Sequence, residues 1–178
     1  MSTKRAQFKF TKMEIIDGSS PANSIEVIFG DEGSVNWTRS TPRLYEKDRG
    51  NLDTVIDDEE EPLTVDVSGR WSYIKGSGPD DVTMYDALHG EGSAGPSPGA
   101  DWTSVDDTVC SPYAVDLVFT YEPDCVPDGA GEYAEKITFP QFRIEDWTGD
   151  ISQGSSTISF NGSCNVVKPD IDRYDHTA

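Results

Sequence analysis

Histidines, cysteines and basic side chains are scarce in this sequence, and each scarcity removes a class of function. The two histidines are His89, which ends a short helical pattern, and His176, near the C-terminus. Catalysis by a Ser or Cys nucleophile ordinarily needs a histidine held beside it to take the proton, and neither position suits a held base. Cys110, Cys125 and Cys164 are widely spaced with no CxxC pair, which speaks against a zinc site. An odd number also excludes a fully paired set of disulfides. Buried thiols are the expected state, with one disulfide formed after release from a cell as the alternative. No P-loop, dinucleotide fingerprint or HExxH motif occurs. No apolar run approaches the ~20 residues of a membrane-spanning helix. The first ten residues, MSTKRAQFKF, have no apolar core of the kind a secretory signal carries, so synthesis in a cytoplasm is the expectation.

Positive charge is the largest deficit. Thirty-three acidic residues face 14 basic ones, a net charge of −19. Affinity for DNA comes largely from Lys and Arg neutralising phosphates and releasing counterions, so nucleic acid is not expected as a tightly held partner. The basic residues are also unevenly placed. Lys4, Arg5, Lys9 and Lys12 make the first twelve residues +4 and leave −23 on residues 13–178. A basic arm on an acidic body suits pairing with the acidic surface of a neighbouring copy; a merely solvated terminus is the plainer alternative. Adjacent carboxylates such as Asp80-Asp81, Asp106-Asp107 and Glu145-Asp146 are too many for any one to stand out as a catalytic pair. The oxygen-rich stretches Asp124 to Glu132 and Asp170 to Asp175 lack EF-hand spacing. Two glycosylation sequons, at Asn36 and Asn161, carry little weight without a secretory signal.

Turns and strands are what the chain has in plenty. A length of 178 residues suits one domain with a real core, and 16 Gly with 11 Pro favour many turns over long helices. Residues 25–39 read as two strands around a Gly-containing turn, with Ile25, Val27 and Phe29 on one face and Val35 and Trp37 together on the return. Residues 52–56 and 63–74 read as the next pair. Leu63, Val65 and Val67 alternate with Thr64, Asp66 and Ser68, the period of a half-buried strand. Five consecutive acids, Asp57 to Glu61, repel one another and predict an exposed loop. One short helix is expected, capped by Asp80 or Asp81, with Val82, Tyr85 and Leu88 on one face and Gly90 as its stop. Residues 90–108 read as a long loop around Trp102. A strong strand follows, with Val115, Leu117, Phe119 and Tyr121 on one face. Strands are also expected at 137–139, 142–144 and from Thr157 to Pro169, with Gly162 as a bulge. Seven to nine short strands with one helix predict a mainly all-β chain, an antiparallel β-sandwich or partial barrel with long loops.

The segment Tyr45-Glu-Lys-Asp48-Arg49-Gly50-Asn51-Leu52-Asp53-Thr54-Val55, followed by Asp58-Glu59 and Pro62-Leu63-Thr64-Val65, resembles a stretch of the tail tube (major tail) proteins of long-tailed bacteriophages. Tyr85 to Gly90 is similar to their short helix, and Cys110 to Asp116 to the start of their central strand. Ile137 to Arg143 and Ile158 to Val166 are similar to their closing strands. The likeness spans roughly residues 25–170; it departs at Ile56 and Asp57, where the family pattern has Arg before the acidic loop and Gly opening it.

This resemblance implies a non-enzymatic virion protein without a cofactor. Copies would close into hexameric rings, and the rings would stack into a hollow tail tube through which DNA is ejected. The implied organisation is an N-terminal arm (1–24), a β-sandwich tube domain (25–170) and a C-terminal tail (171–178). Subunit or ring contacts are expected at Asp48, Arg49, Gly50, Asn51, Leu52, Asp57, Asp58 and Glu59. Asp66 and Asp116 are candidate lumen-facing acids, which would repel the passing polyanion. The expected partners are the chain itself, other tail proteins at the tube ends, and genomic DNA in passage without tight binding; no membrane partner is implied. Two other classes compete with this reading. One is a carbohydrate- or calcium-binding β-sandwich using Trp102 and Trp147, and the other is a hydrolase with an acidic pair.

Overall fold

The computed structural model describes residues 11–28, 33–70, 83–90, 102–121, 133–152 and 155–175. Its strands are β1 (Thr11–Ile16), β2 (Ser24–Ile28), β3 (Gly33–Thr38), β4 (Arg43–Asp48), β5 (Asn51–Asp57), β6 (Leu63–Arg70), β7 (Val115–Tyr121), β8 (Tyr133–Ser152), β9 (Ser155–Cys164) and β10 (Asp170–Asp175). One helix, α1 (Met84–His89), lies between β6 and β7. Seven strands run antiparallel in the order β2-β1-β7-β8-β9-β6-β3, and β10 adds to β8. The β4–β5 hairpin stands apart from this sheet.

The 20-residue β8 turns the sheet into a sandwich. Its first part, residues 133–138, lies between β7 and β10. Beyond Phe142 it pairs with β9 alone. The direction changes at Pro140-Gln141, where Gln141 has φ 52° and its N–H donates to the Asp116 carboxylate at 2.9 Å. A proline removes one ladder donor and a left-handed residue bends the strand, so the chain passes from one layer to the other. The first layer is β2-β1-β7-β8-β10 and the second is β8-β9-β6-β3.

Alternation fills the space between the layers. Leu63, Val65 and Val67 are buried while Thr64, Asp66 and Arg70 face out. They meet Met13, Ile15, Leu117, Phe139, Phe142 and Phe160 in one cluster. Ring contacts lock it: Phe139 lies 5.6 Å from Phe119 and 5.7 Å from Trp37, and Phe142 lies 6.0 Å from Phe160. Each such side chain contributes about 1.5–3 kcal/mol on burial. Helix α1 covers one end through Met84, Ala87 and Leu88. Thr83 and Asp86 form a reciprocal capping box, and Gly90 ends the helix at φ 63°. The Tyr113 hydroxyl donates to the Ala87 carbonyl at 3.0 Å and ties the helix to the start of β7.

Several expected pairings differ. β2 and β3 are not a hairpin: β2 pairs with β1 and β3 with β6, at opposite ends of the sheet order. Likewise β5 pairs with β4, whereas β6 lies between β3 and β9. The apolar faces on each strand were legible, but partner choice depends on which faces meet across the core. Residues 11–16, within the expected arm, form β1, and Met13 and Ile15 are fully buried. Asp170 to Asp175, expected as a loop, is β10. The strand at 137–144 runs on through Trp147 to Ser152. The register shift lies on β8, between Ile144 and Asp146, so Gly162 is not itself the bulge. The helix cap is Thr83, not Asp80 or Asp81; those two, Val82, residues 71–74, Phe29, Cys125, the stretch 124–132 and His176 lie outside the described residues.

Candidate assembly surfaces

Within the larger sheet, the described residues leave four strand edges without a ladder partner: β2, β10, β3 and the second half of β8. Exposed edges invite pairing with another chain, and proteins usually guard them with charge. β10 is guarded, since four of its six residues, Asp170, Asp172, Arg173 and Asp175, are charged. β2 carries Glu26. The edge of β8 carries Glu145, Asp146 and Asp150. β3, Gly-Ser-Val-Asn-Trp-Thr, carries no charge at all.

Sheet direction sets what β3 can pair with. Successive strands in the β8-β9-β6-β3 layer alternate in direction, so β3 runs opposite to β8. A β8 edge placed beside β3 in the same sheet orientation would therefore be antiparallel to it.

The middle of this layer's outer face is a field of short polar side chains. Asn36, Asp66, Asn161 and Asp146 form one row across four strands, and Ser34, Ser68, Ser159 and Thr148 form the next. The Ser34 and Ser68 hydroxyls lie 2.8 Å apart. Asp66 thus sits at the centre of a polar wall, as its alternation predicted. Asp116 does not join it; it lies on β7 in the other layer, where its carboxylate holds the Gln141 N–H.

The remaining expected contact residues gather on the hairpin and its exit. Asp48-Arg49-Gly50-Asn51 is its tip, where Arg49 and Gly50 both have positive φ, 50° and 86°. Two consecutive left-handed residues make the turn whose twist matches a two-residue hairpin. Leu52 follows on β5, and Asp57, Asp58 and Glu59 lead back to the sheet, fully in solvent, as five adjacent acids predicted. The Asp58 N–H donates to the Pro42 carbonyl at 3.1 Å and closes the hairpin's base. Leu44, Tyr45, Leu52, Val55 and Ile56 are 53, 57, 59, 45 and 44% exposed.

Two acids missed by sequence reasoning position the loop before β7. Asp17 is 3% exposed and accepts from the Ser19 N–H and hydroxyl, both Asn23 nitrogens and the Thr103 N–H. Burial alone would raise its pKa, but the hydrogen bonds from Ser19, Thr103 and Asn23 together hold it below the ordinary carboxylate value. Gly18 fits against Ser104, whose carbonyl oxygen stands 2.3 Å from where a Cβ would lie. Asp106 pairs with Arg143 of β8. Hydrogen bonds from the Thr108 hydroxyl and N–H and from Ser111, with the Arg143 charge adding to them, lower the Asp106 pKa. The Asp-Gly-Ser-Ser-Pro run at 17–21 is a local turn signal that could have marked the first hub, but its link to Thr103 spans 86 residues.

The tryptophans named for the sugar-binding alternative pack inward, and His89, not expected as a held base, is engaged on its own helix. Trp102 and Trp147 are partly buried and pack against the core; Trp147 stacks on Phe160 at 5.8 Å. His89 stacks on Tyr85 at 4.0 Å, with Nδ1 2.9 Å from the Tyr85 carbonyl. The Cys164 thiol is buried and pushed up to about 12, by burial first and the Asp116 charge second, so it is a poor nucleophile.

No protein-family model matches this chain, and neither does any curated protein sequence. Solved structures do match. Its fold is similar to that of two tube-terminating proteins. The sheath/tube terminator of the PVC extracellular contractile injection system aligns at TM-score 0.54 and 8% identity, over 96% of this chain and 99% of that one. The tube-terminating cap of the anti-feeding prophage aligns at 0.51 and 9%, over 98% and 94%. A chain of the anti-feeding prophage baseplate aligns at 0.48 and 9%, over 98% and 97%.

Proposed function

We propose that this chain is a non-enzymatic structural subunit of a phage-type tail tube, located in the virion. Its copies close into hexameric rings through the β3 edge of one and the β8 edge of the next. The uncharged β3 is the observation that carries this reading. A sheet guarded on both edges ends growth, whereas an uncharged edge set against an oppositely running one permits a heterologous contact that closes on itself by rotation. The sequence resemblance and the shared fold of the two terminator proteins support it.

In such a ring the polar wall containing Asp66 faces the lumen. Short Ser, Thr, Asn and Asp side chains keep its two middle rows smooth, and the carboxylates there repel a passing polyanion; Arg70 lies in the row beyond, beside Thr157 and Asp150. The hairpin joins β3 to β6 at one end of the layer, and in this reading it reaches towards the next ring or another tail protein at the tube end. A second reading follows from the roles of the two fold neighbours: copies form a single ring that ends a tube.

Negative-stain microscopy of the purified protein separates these outcomes. Stacked rings support the tube subunit, isolated rings the terminating one, and monomers at all salt and protein concentrations refute ring closure. Thr38→Glu places an acid on the β3 edge, against the acidic β8 edge of the neighbour, and should abolish rings while leaving the melting temperature within a few degrees of the parent.

A further inference from the structure

The β4–β5 hairpin is apolar on both faces. Leu44 and Ile56 sit directly opposite one another on one face, and Tyr45 and Val55 on the other. A lone two-stranded hairpin is marginally stable in water, and a single covered face would need only one apolar pair. Charge differs between the faces too. Glu46 shares the Leu44 face, whereas Arg43 and Lys47 alternate onto the Tyr45 face, where Arg43 already pairs with Asp57 at 3.8 Å. Packing like faces together would repeat the same charges across the contact; packing unlike faces sets Glu46 towards Lys47.

We propose that the hairpins of successive copies stack on one another, the Leu44/Ile56 face of each against the Tyr45/Val55 face of the next, so that both faces are covered by a second copy of this chain. This rests on the ring reading above, because a front-to-back contact closes only when the copies rotate into a ring. It adds to the strand edges a second, apolar belt between the same neighbours.

Stacked sheets stand ~10 Å apart, beyond the ~4 Å Cβ separation of a disulfide, so a short bis-maleimide is the suitable probe. Leu44→Cys/Val55→Cys is made with Cys110→Ser and Cys125→Ser, and circular dichroism checks the fold. Treatment of the assembled protein should give a ladder of covalent oligomers on a denaturing gel, and each single cysteine alone should give none. As a second measurement, Glu46→Lys should reduce ring yield several-fold, and adding Lys47→Glu should restore it. Covalent dimers from Leu44→Cys alone would mean like faces meet and overturn the proposal. Rings by microscopy without a ladder would overturn it while leaving ring closure standing. Absence of both rings and ladder would remove the ring reading and this inference together.

Discussion

Gly162 on β9 sits tightly against β8, and replacing it with alanine tests the packing directly. A Cβ there would lie 2.0 Å from the Arg143 carbonyl oxygen and 2.7 Å from Cζ of Phe142. Non-bonded carbon contacts are most favourable near 3.5 Å, so β8 must retreat by more than an ångström. Phe142 cannot swing aside, since it is 1% exposed and packed edge-on to Phe160. Overpacking of this kind costs about 1–3 kcal/mol, and opening the ladder adds about 1 kcal/mol per lost hydrogen bond. The stiffer unfolded chain returns about 0.4–1 kcal/mol. With one ladder bond lost, the expected net loss is about 1–3.5 kcal/mol, which lowers Tm by roughly 2–14 °C for a chain of this size. Thermal and urea unfolding followed by circular dichroism measure it. Gly50 is the control: its φ is 86° with nothing within 4 Å of a Cβ, so Gly50→Asn, which tolerates that conformation, should be nearly neutral. At Gly162 asparagine should be no milder than alanine, because space and not φ is limiting. A stable Gly162→Ala variant, within ~0.5 kcal/mol of the parent, would refute the argument.

Three further outcomes are expected. Asp17→Ala strips the shared acceptor from five donors and should cost about 2–4 kcal/mol in chemical unfolding. Because the folded pKa of Asp17 is lowered, its stabilisation is present above the unfolded value near 3.8 and is lost as pH falls through the folded value; Asp17→Asn should flatten that acid limb. The Tyr113 pKa is raised to about 12 by burial and then by the Asp17 charge, so its contribution is complete below pH 10 and is lost as pH rises towards about 12. Tyr113→Phe should abolish that alkaline loss and cost about 1 kcal/mol at neutral pH, read by unfolding at pH 7 and 11. The purified protein should bind DNA immeasurably weakly near physiological salt; salt-sensitive micromolar binding in a filter or anisotropy assay would contradict a repulsive lumen.

The alternation Leu63-Val65-Val67 and the run Val115-Leu117-Phe119 announced strands because side-chain direction along an extended chain is fixed by local geometry. Gly90 marked the end of α1 for the same local reason, since a left-handed residue there needs no distant partner. The turn at Arg49-Gly50 and the exposure of Asp57–Glu59 were also legible, because turn residues and adjacent like charges must lie in solvent.

Local geometry could not tell β2 from β3 as neighbours, carry β8 through Pro140, or join Asp17 to Thr103. Those follow from which apolar faces close over one another, and that free energy exists only after segments far apart in sequence have met. The composition determined that this chain is acidic, β-rich and poor in the groups that do chemistry. Tertiary structure decided which edges remain unpaired, that Asp66 lies on an open polar wall while Asp116 holds a bend, and that the hairpin presents two apolar faces to solvent. Burial is a property of the collapsed chain, so only the fold can say what it leaves uncovered.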